Sequence, residues 1–191
     1  MLSHHLEEIL NQKKDYLLKD FFLQKSLKQF NKQLIDFRKS YKDIKWSIKT
    51  VSDYPDEKFL DIEITSKRNI SGQIYYLNSR QTVKIKTFQN KIKNYDVINE
   101  ESILESQNSP LVVKIISPDN VRTGEKYEIN LVIEKPLDNS LVASGMIVLK
   151  DNGNINISKD QFGIKANQSG GLFKYIQAPL KPGFQTISAI I

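Results

Sequence analysis

The chain has 191 residues, 28 Lys and Arg against 22 Asp and Glu (net charge +6), and no cysteine. That length suits one large or two small domains, and the lack of cysteine excludes disulfides and thiol chemistry. The basic excess is spread out, +4 over residues 1–108 (19 against 15) and +2 over residues 109–191 (9 against 7), unlike the concentrated patch of a duplex binder.

Residues 2–44 carry a helical period. Leu23, Leu27, Phe30, Leu34, Phe37, Tyr41 and Ile44 recur in steps of four and three, which keeps one stripe on one side of a helix. Leu2, Leu6, Ile9 and Leu10 form a shorter stripe, with Ser3 as the expected N-cap. The polar run 11–15 and Asp20 interrupt the pattern, so two helices or one kinked helix are expected. The N-terminus is polar and lacks the apolar core of a signal peptide. The expected location is therefore cytoplasmic, or exported if a leader has been trimmed. No run of about 18 uncharged apolar residues offers a membrane span.

After Ile44 the period changes to two. Strands are expected at 46–52, 59–66, 73–77, 82–88 and 92–98, joined by short polar links. Leu60, Ile62 and Ile64 alternate with Asp61, Glu63 and Thr65, the pattern of a half-buried antiparallel strand. Such a meander needs its apolar face covered, and the 23–44 stripe is the available cover.

Seven of the 8 glycines and five of the 6 prolines follow residue 109, Gly72 and Pro55 being the exceptions. These residues supply the special φ values of tight turns, so the two halves call for different architectures. The polar stretch 99–110 ends in Pro110 and reads as a link. Beyond it, strands are expected at 111–117, 126–134, 143–150, 154–158, 161–166, 172–178 and 184–191. Asn152-Gly153 between apolar runs is a hairpin signal. Seven short strands in so short a span point to a β-sandwich.

The first half, helix then meander ending KIKNYDVINEES, resembles the cystatin-like α+β roll of the nuclear-transport-factor and ketosteroid-isomerase superfamily. The second half, with SPDNVRTGEKYEINLVIE at its start and APLKPGFQTISAII at its end, is similar to bacterial immunoglobulin-like domains. The resulting expectation is an α+β chain: N-terminal helices packed on a curved antiparallel sheet over 1–104, a linker at 105–110, and an all-β immunoglobulin-like sandwich over 111–191. Both likenesses imply fold, which does not decide function.

The chemistry is sparse. His4 and His5 are adjacent, so on a helix they diverge by about 100° and cannot chelate together. No nucleophile elbow, phosphate loop or dinucleotide fingerprint is present. Residues 151–156 look superficially like a calcium loop, but no acidic residue closes it. No catalytic residue, metal site or cofactor is assigned.

The resemblance to the roll implies a cone between helix and sheet, where a buried carboxylate would act as acid or base. Asp61 and Glu63 should face solvent; Asp53, Asp56 and Glu57 fall in a turn; Asp36 and Asp43 sit on the helix flank. The residues that could line a cone are Phe37, Tyr41, Trp46, Tyr76 and Tyr95. A second candidate is a basic ribbon of Arg80, Lys84, Lys86, Lys91 and Lys93 near Tyr75, Phe88 and Tyr95, a pattern that suits a polyanion or single-stranded nucleic acid. No recognition motif accompanies that charge, so nucleic acid is the weaker reading. The main expectation is a non-catalytic interaction protein, acting through a protein partner or as a homodimer. The terminal segment 184–191 is the expected edge for pairing, with Ile187, Ala189 and Ile191 on one face. The rivals are a small-molecule binder or enzyme using the cone, and the polyanion binder.

Overall fold

A computed structural model describes residues 2–109, 111–135, 142–149, 162–167 and 170–191. The chain is α+β and divides into two compact units, Met1–Asn108 and Ser109–Ile191. The expected strand 154–158, the Asn152-Gly153 turn and the loop 151–156 lie outside the described residues.

The first unit opens with helix α1 (Leu2–Asn11), a short 3-10 helix (Asp15–Asp20) and helix α2 (Gln24–Ser40). The break between helices falls in the polar run, where Lys13 takes a positive φ of 56°. Two expectations change here. Ser3 lies inside α1 and its hydroxyl accepts a hydrogen bond from Thr50 Oγ1 (3.0 Å), so it is not the N-cap. Helix α2 stops at Ser40, because Tyr41 is already extended (φ −121°, ψ 145°). Ile44 therefore belongs to a strand, not to the helical stripe.

Four strands follow: β1 (Lys42–Asp53), β2 (Glu57–Ile70), β3 (Gln73–Phe88) and β4 (Lys91–Ser106), an antiparallel meander in the order β1-β2-β3-β4. The expected break at 78–81 does not exist. Asn78 to Gln81 pair continuously with Thr65 to Ile62 on one side and with Ile103 to Glu100 on the other. A segment with no Gly or Pro, paired on both sides, has no reason to turn. Strand β4 likewise runs to Ser106, through the stretch 99–104 and into 105–110, where a link was expected, because Tyr75 to Thr82 supply partners for Asn99 to Ser106. Polar composition marked that stretch as a link, but its exposure is that of an edge strand.

Two hairpins turn in two residues. Ser71 and Gly72 have φ of 52° and 87°, and Gln89 and Asn90 have φ of 49° and 60°. Paired positive φ values match the right-handed twist of the flanking strands.

The inward face packs into one core of Leu6, Ile9, Leu10, Leu18, Phe22, Leu34, Ile48, Leu60, Val83, Ile85 and Ile92. Helix α1 shares the cover with α2, which carries the stripe expected to provide it. Arg38 of α2 ties the helical segments together by pairing with Asp15 and donating to the Leu10 carbonyl (3.1 Å).

In the second unit, β5 (Val113–Ile116), β6 (Lys126–Ile133) and β9 (Gly171–Gln177) form one three-stranded sheet in the order β5-β6-β9. Strands β7 (Val142–Leu149), β8 (Lys165–Asn167) and β10 (Thr186–Ile190) form another, in the order β10-β7-β8. Ile129, Leu131, Met146 and Ile176 are buried together, joined by Val113, Ile115, Leu172, Ile187 and Ile191, so both sheets feed one core. Lys174 also points inward, and its ammonium donates to the Met146 carbonyl of the other sheet (2.7 Å).

Candidate functional site

The five residues expected to line a cone do not converge. Phe37 stacks on Tyr41 (ring centroids 4.7 Å apart) and meets Trp46 edge-on (5.9 Å) at the C-terminal end of α2. The Arg68 guanidinium lies 5.4 Å over the Tyr41 ring. Tyr95 packs edge-on against Phe22 and Phe30 at the other end, and its hydroxyl donates to Gln33. Trp46 stands in the register row of Ile64 and Ser79, Tyr95 in the row of Ile85. Six residues along β3 separate these rows, about 20 Å at 3.3 Å per residue. Tyr76 pairs with Lys67 on the opposite, outward face, so it lines no interior space at all.

Packed side chains occupy the space between these two aromatic groups, Leu34, Leu60 and Val83 among them. The buried polar residues described in this unit are Ser26, Ser66 and Ser79; no Asp or Glu is among the buried residues described. Asp61 accepts from Thr82 Oγ1 (2.8 Å), and Asp43 pairs with Lys67 (3.0 Å). That contact, through its hydrogen bond first and its charge second, holds the Lys67 ammonium above its ordinary pKa. Burial raises the Tyr95 phenol above its ordinary value, which takes it further from service as a base near neutral pH.

Arg80, Lys84 and Lys86 do share the outward face of β3, as alternation requires. Their neighbours are acidic, however. Arg80 lies opposite Glu63 and Glu101, Lys84 opposite Asp96, and Lys86 opposite Glu57. Lys84 pairs with Glu57 (2.8 Å), and Arg80 approaches Glu63 (3.8 Å). Lys91 donates to the Lys19 carbonyl (3.2 Å), and Lys93, at a register shift, lies 5.9 Å over the Phe88 ring. The β3 part of the ribbon is thus a mosaic of both signs, because register sets acidic residues of β2 and β4 beside Arg80, Lys84 and Lys86.

The surface that sequence reasoning missed lies on the second unit. Along β9, Leu172, Lys174 and Ile176 point inward, which leaves Phe173 and Tyr175 outward, 54% and 77% exposed. Register places Phe173 beside Asn130 and Asn130 beside Ile116, which is 47% exposed. Tyr175 lies beside Glu128, and Lys114 beside Val132. With its amide oriented to satisfy both ends, Asn130 donates to the Glu128 carboxylate (3.1 Å). The face thus carries a row of Ile116, Asn130 and Phe173, with Lys114 on one side of it and Glu128 and Tyr175 on the other. Its signal was present in the string GLFKYIQ, whose two alternating sets are both largely apolar; one set must face out.

The expected edge segment ends in β10, which lies at the margin of its sheet and pairs with β7 on its other side. Ile187 and Ile191 pack against the core.

The described residues thus define an α+β chain whose second unit presents an exposed aromatic sheet face. Residues 108–191 match the model of a family described as a domain of unknown function (DUF8623), a match that covers the second unit and, but for Asn108, leaves the first outside. No curated protein and no solved structure matches the chain. Among the described residues no helix is long and apolar enough to cross a membrane, and no group of three or more His, Asp or Glu could hold a metal ion.

Proposed function

We propose that this chain is a non-catalytic association protein, a cystatin-like α+β roll joined to an immunoglobulin-like sandwich, that acts by binding protein through the second unit. The helix-then-meander order supports the first assignment, and two three-stranded sheets over a shared core support the second. The observation that carries the functional reading is the outward pair Phe173 and Tyr175, exposed on the same sheet face as Ile116. Contiguous exposed aromatics on a sheet face cost solubility, and aromatic side chains anchor protein interfaces. The packed interior of the first unit favours this reading over a cone-shaped pocket, and the interleaved charges of its outer face favour it over a polyanion site.

The test is site-specific photocrosslinking in the native cell. A benzophenone side chain at position 175 of the full chain should yield a protein adduct of discrete mass. The same group at position 49, on the outer face of β1, should yield none. No adduct at 175 beyond that at 49 removes the reading.

A further inference from the structure

We infer that the outer face of the β5-β6-β9 sheet is self-complementary and that its partner is a second copy of this chain. The inference rests on the association reading above and names the partner. Ile116, Asn130 and Phe173 form a row across the three strands. On one side of that row stands Lys114, in register with Val132; on the other stand Glu128 and Tyr175. Lys114 and Glu128 cannot pair within one copy. Glu128 is four residues from Val132 along β6, roughly 13 Å at 3.3 Å per residue.

A two-fold axis lying along the row, at right angles to the strands, brings two such faces together. Each row residue then meets its own counterpart, apolar Ile116 and Phe173 included. The side that carries Lys114 lies over the side that carries Glu128 of the other copy. Those two residues are offset by one strand, about 4.8 Å, within reach of a lysine side chain. Two equivalent ion pairs result, one on each side of the row, with Asn130 facing Asn130 between the apolar contacts. In an isologous interface each contact occurs twice, residue i meeting j and j meeting i, and here the residues at mirrored distances from the axis carry opposite charges. Asn130 holds the Glu128 carboxylate toward the row, and Lys114 is exposed. The face is small. Three strands by five residues give a few hundred Å² per copy, below the roughly 800 Å² per partner of a stable complex. The dimer is therefore weak and concentration-dependent.

The experiment is sedimentation velocity on the purified full chain from about 10 μM to about 1 mM at low salt, a range that brackets weak association. The weight-average mass should climb from 22.0 kDa toward twice that value. Lys114→Glu and Glu128→Lys should each weaken association about tenfold by setting like charges together. The double variant should recover to within about threefold of the parent, because the exchanged charges pair again. Thermal melts of all three variants, unchanged from the parent, establish that folding is intact. A chain that stays at 22.0 kDa throughout, or a double variant no better than the singles, overturns the inference. An adduct at position 175 to a different protein, with a monomeric chain, leaves the association reading standing and removes only the second copy. No adduct there, with a monomeric chain, removes both.

Discussion

Asn11 closes the free edge of the first sheet by holding Trp46 as a neighbouring strand would. Its Nδ2 donates to the Trp46 carbonyl (2.8 Å), and its Oδ1 accepts from the Trp46 N–H (2.9 Å). In an antiparallel strand alternate residues turn both backbone groups away from the paired neighbour, and Trp46 is one of these on β1. Ile48, two residues on, gives its outward N–H to the Glu7 carboxylate (2.7 Å). Helix α1 thereby protects an edge that would otherwise offer a template for another chain. The start of β4 is closed similarly, by Ile92 N–H donating to Phe21 O (2.7 Å) and Leu23 N–H donating to Ile92 O (2.9 Å).

Asn11→Ala should destabilise the first unit by about 1–2 kcal/mol, the combined net value of two hydrogen bonds at a partly hydrated site. Urea unfolding followed at the single tryptophan reads this directly. The variant should also gain turbidity on storage as the β1 edge opens. An unchanged midpoint would show that α1 is held by apolar packing alone.

Leu18 is 0% exposed and sits in the 3-10 segment against the core. Leu18→Ala should cost about 2–5 kcal/mol through lost burial and the cavity left behind. Leu18→Met, similar in volume, should cost less than about 1.5 kcal/mol. The comparison of the two melts separates packing from any local backbone preference.

Burial raises the pKa of Tyr95 and of Tyr127 above 10.0. The stability linked to each is fully present below the unfolded value near 10 and is lost as pH rises through the folded value, because the unfolded chain ionises first. Ultraviolet titration near 295 nm should show these among the last of the 8 tyrosines to ionise. Tyr95→Phe should remove one late component and make the alkaline loss of stability shallower, with little change at pH 7.

The Gln89-Asn90 turn uses two non-glycine residues at positive φ. Asn90→Gly should stabilise the β3-β4 hairpin by about 0.5–1 kcal/mol, since glycine adopts that φ without a side-chain clash. Gly72→Ala, at φ 87° with open space around it, should destabilise by a similar amount for the reverse reason. Chemical denaturation of the two variants should move the midpoint in opposite directions.

Much of the first half was legible because its code is local. Period 3.6 up to Ile44 and period 2 after it place α2 and the strands, with the change of period read four residues past the helix end at Ser40, and Leu60, Ile62 and Ile64 all face inward. Composition also differs between the halves, since glycine and proline concentrate after residue 109, and the units divide between Asn108 and Ser109. What the string could not carry was register. A polar stretch such as 99–106 is a link or an edge strand according to whether Tyr75 to Thr82 stand beside it, and they do. Arg80, Lys84 and Lys86 of β3 look like a positive ribbon until pairing sets Glu63, Glu57 and Asp96 among them. Tyr76 and Tyr95 look alike as aromatics in strands, yet the parity of their pairing puts one outside and one in the core. The exposed face of Phe173 and Tyr175 has the same origin. Local sequence determined that β9 would be apolar on both sides. Only the tertiary structure, by stacking one side on the other sheet, decided which side meets solvent, because burial of a strand face depends on residues far away in the chain.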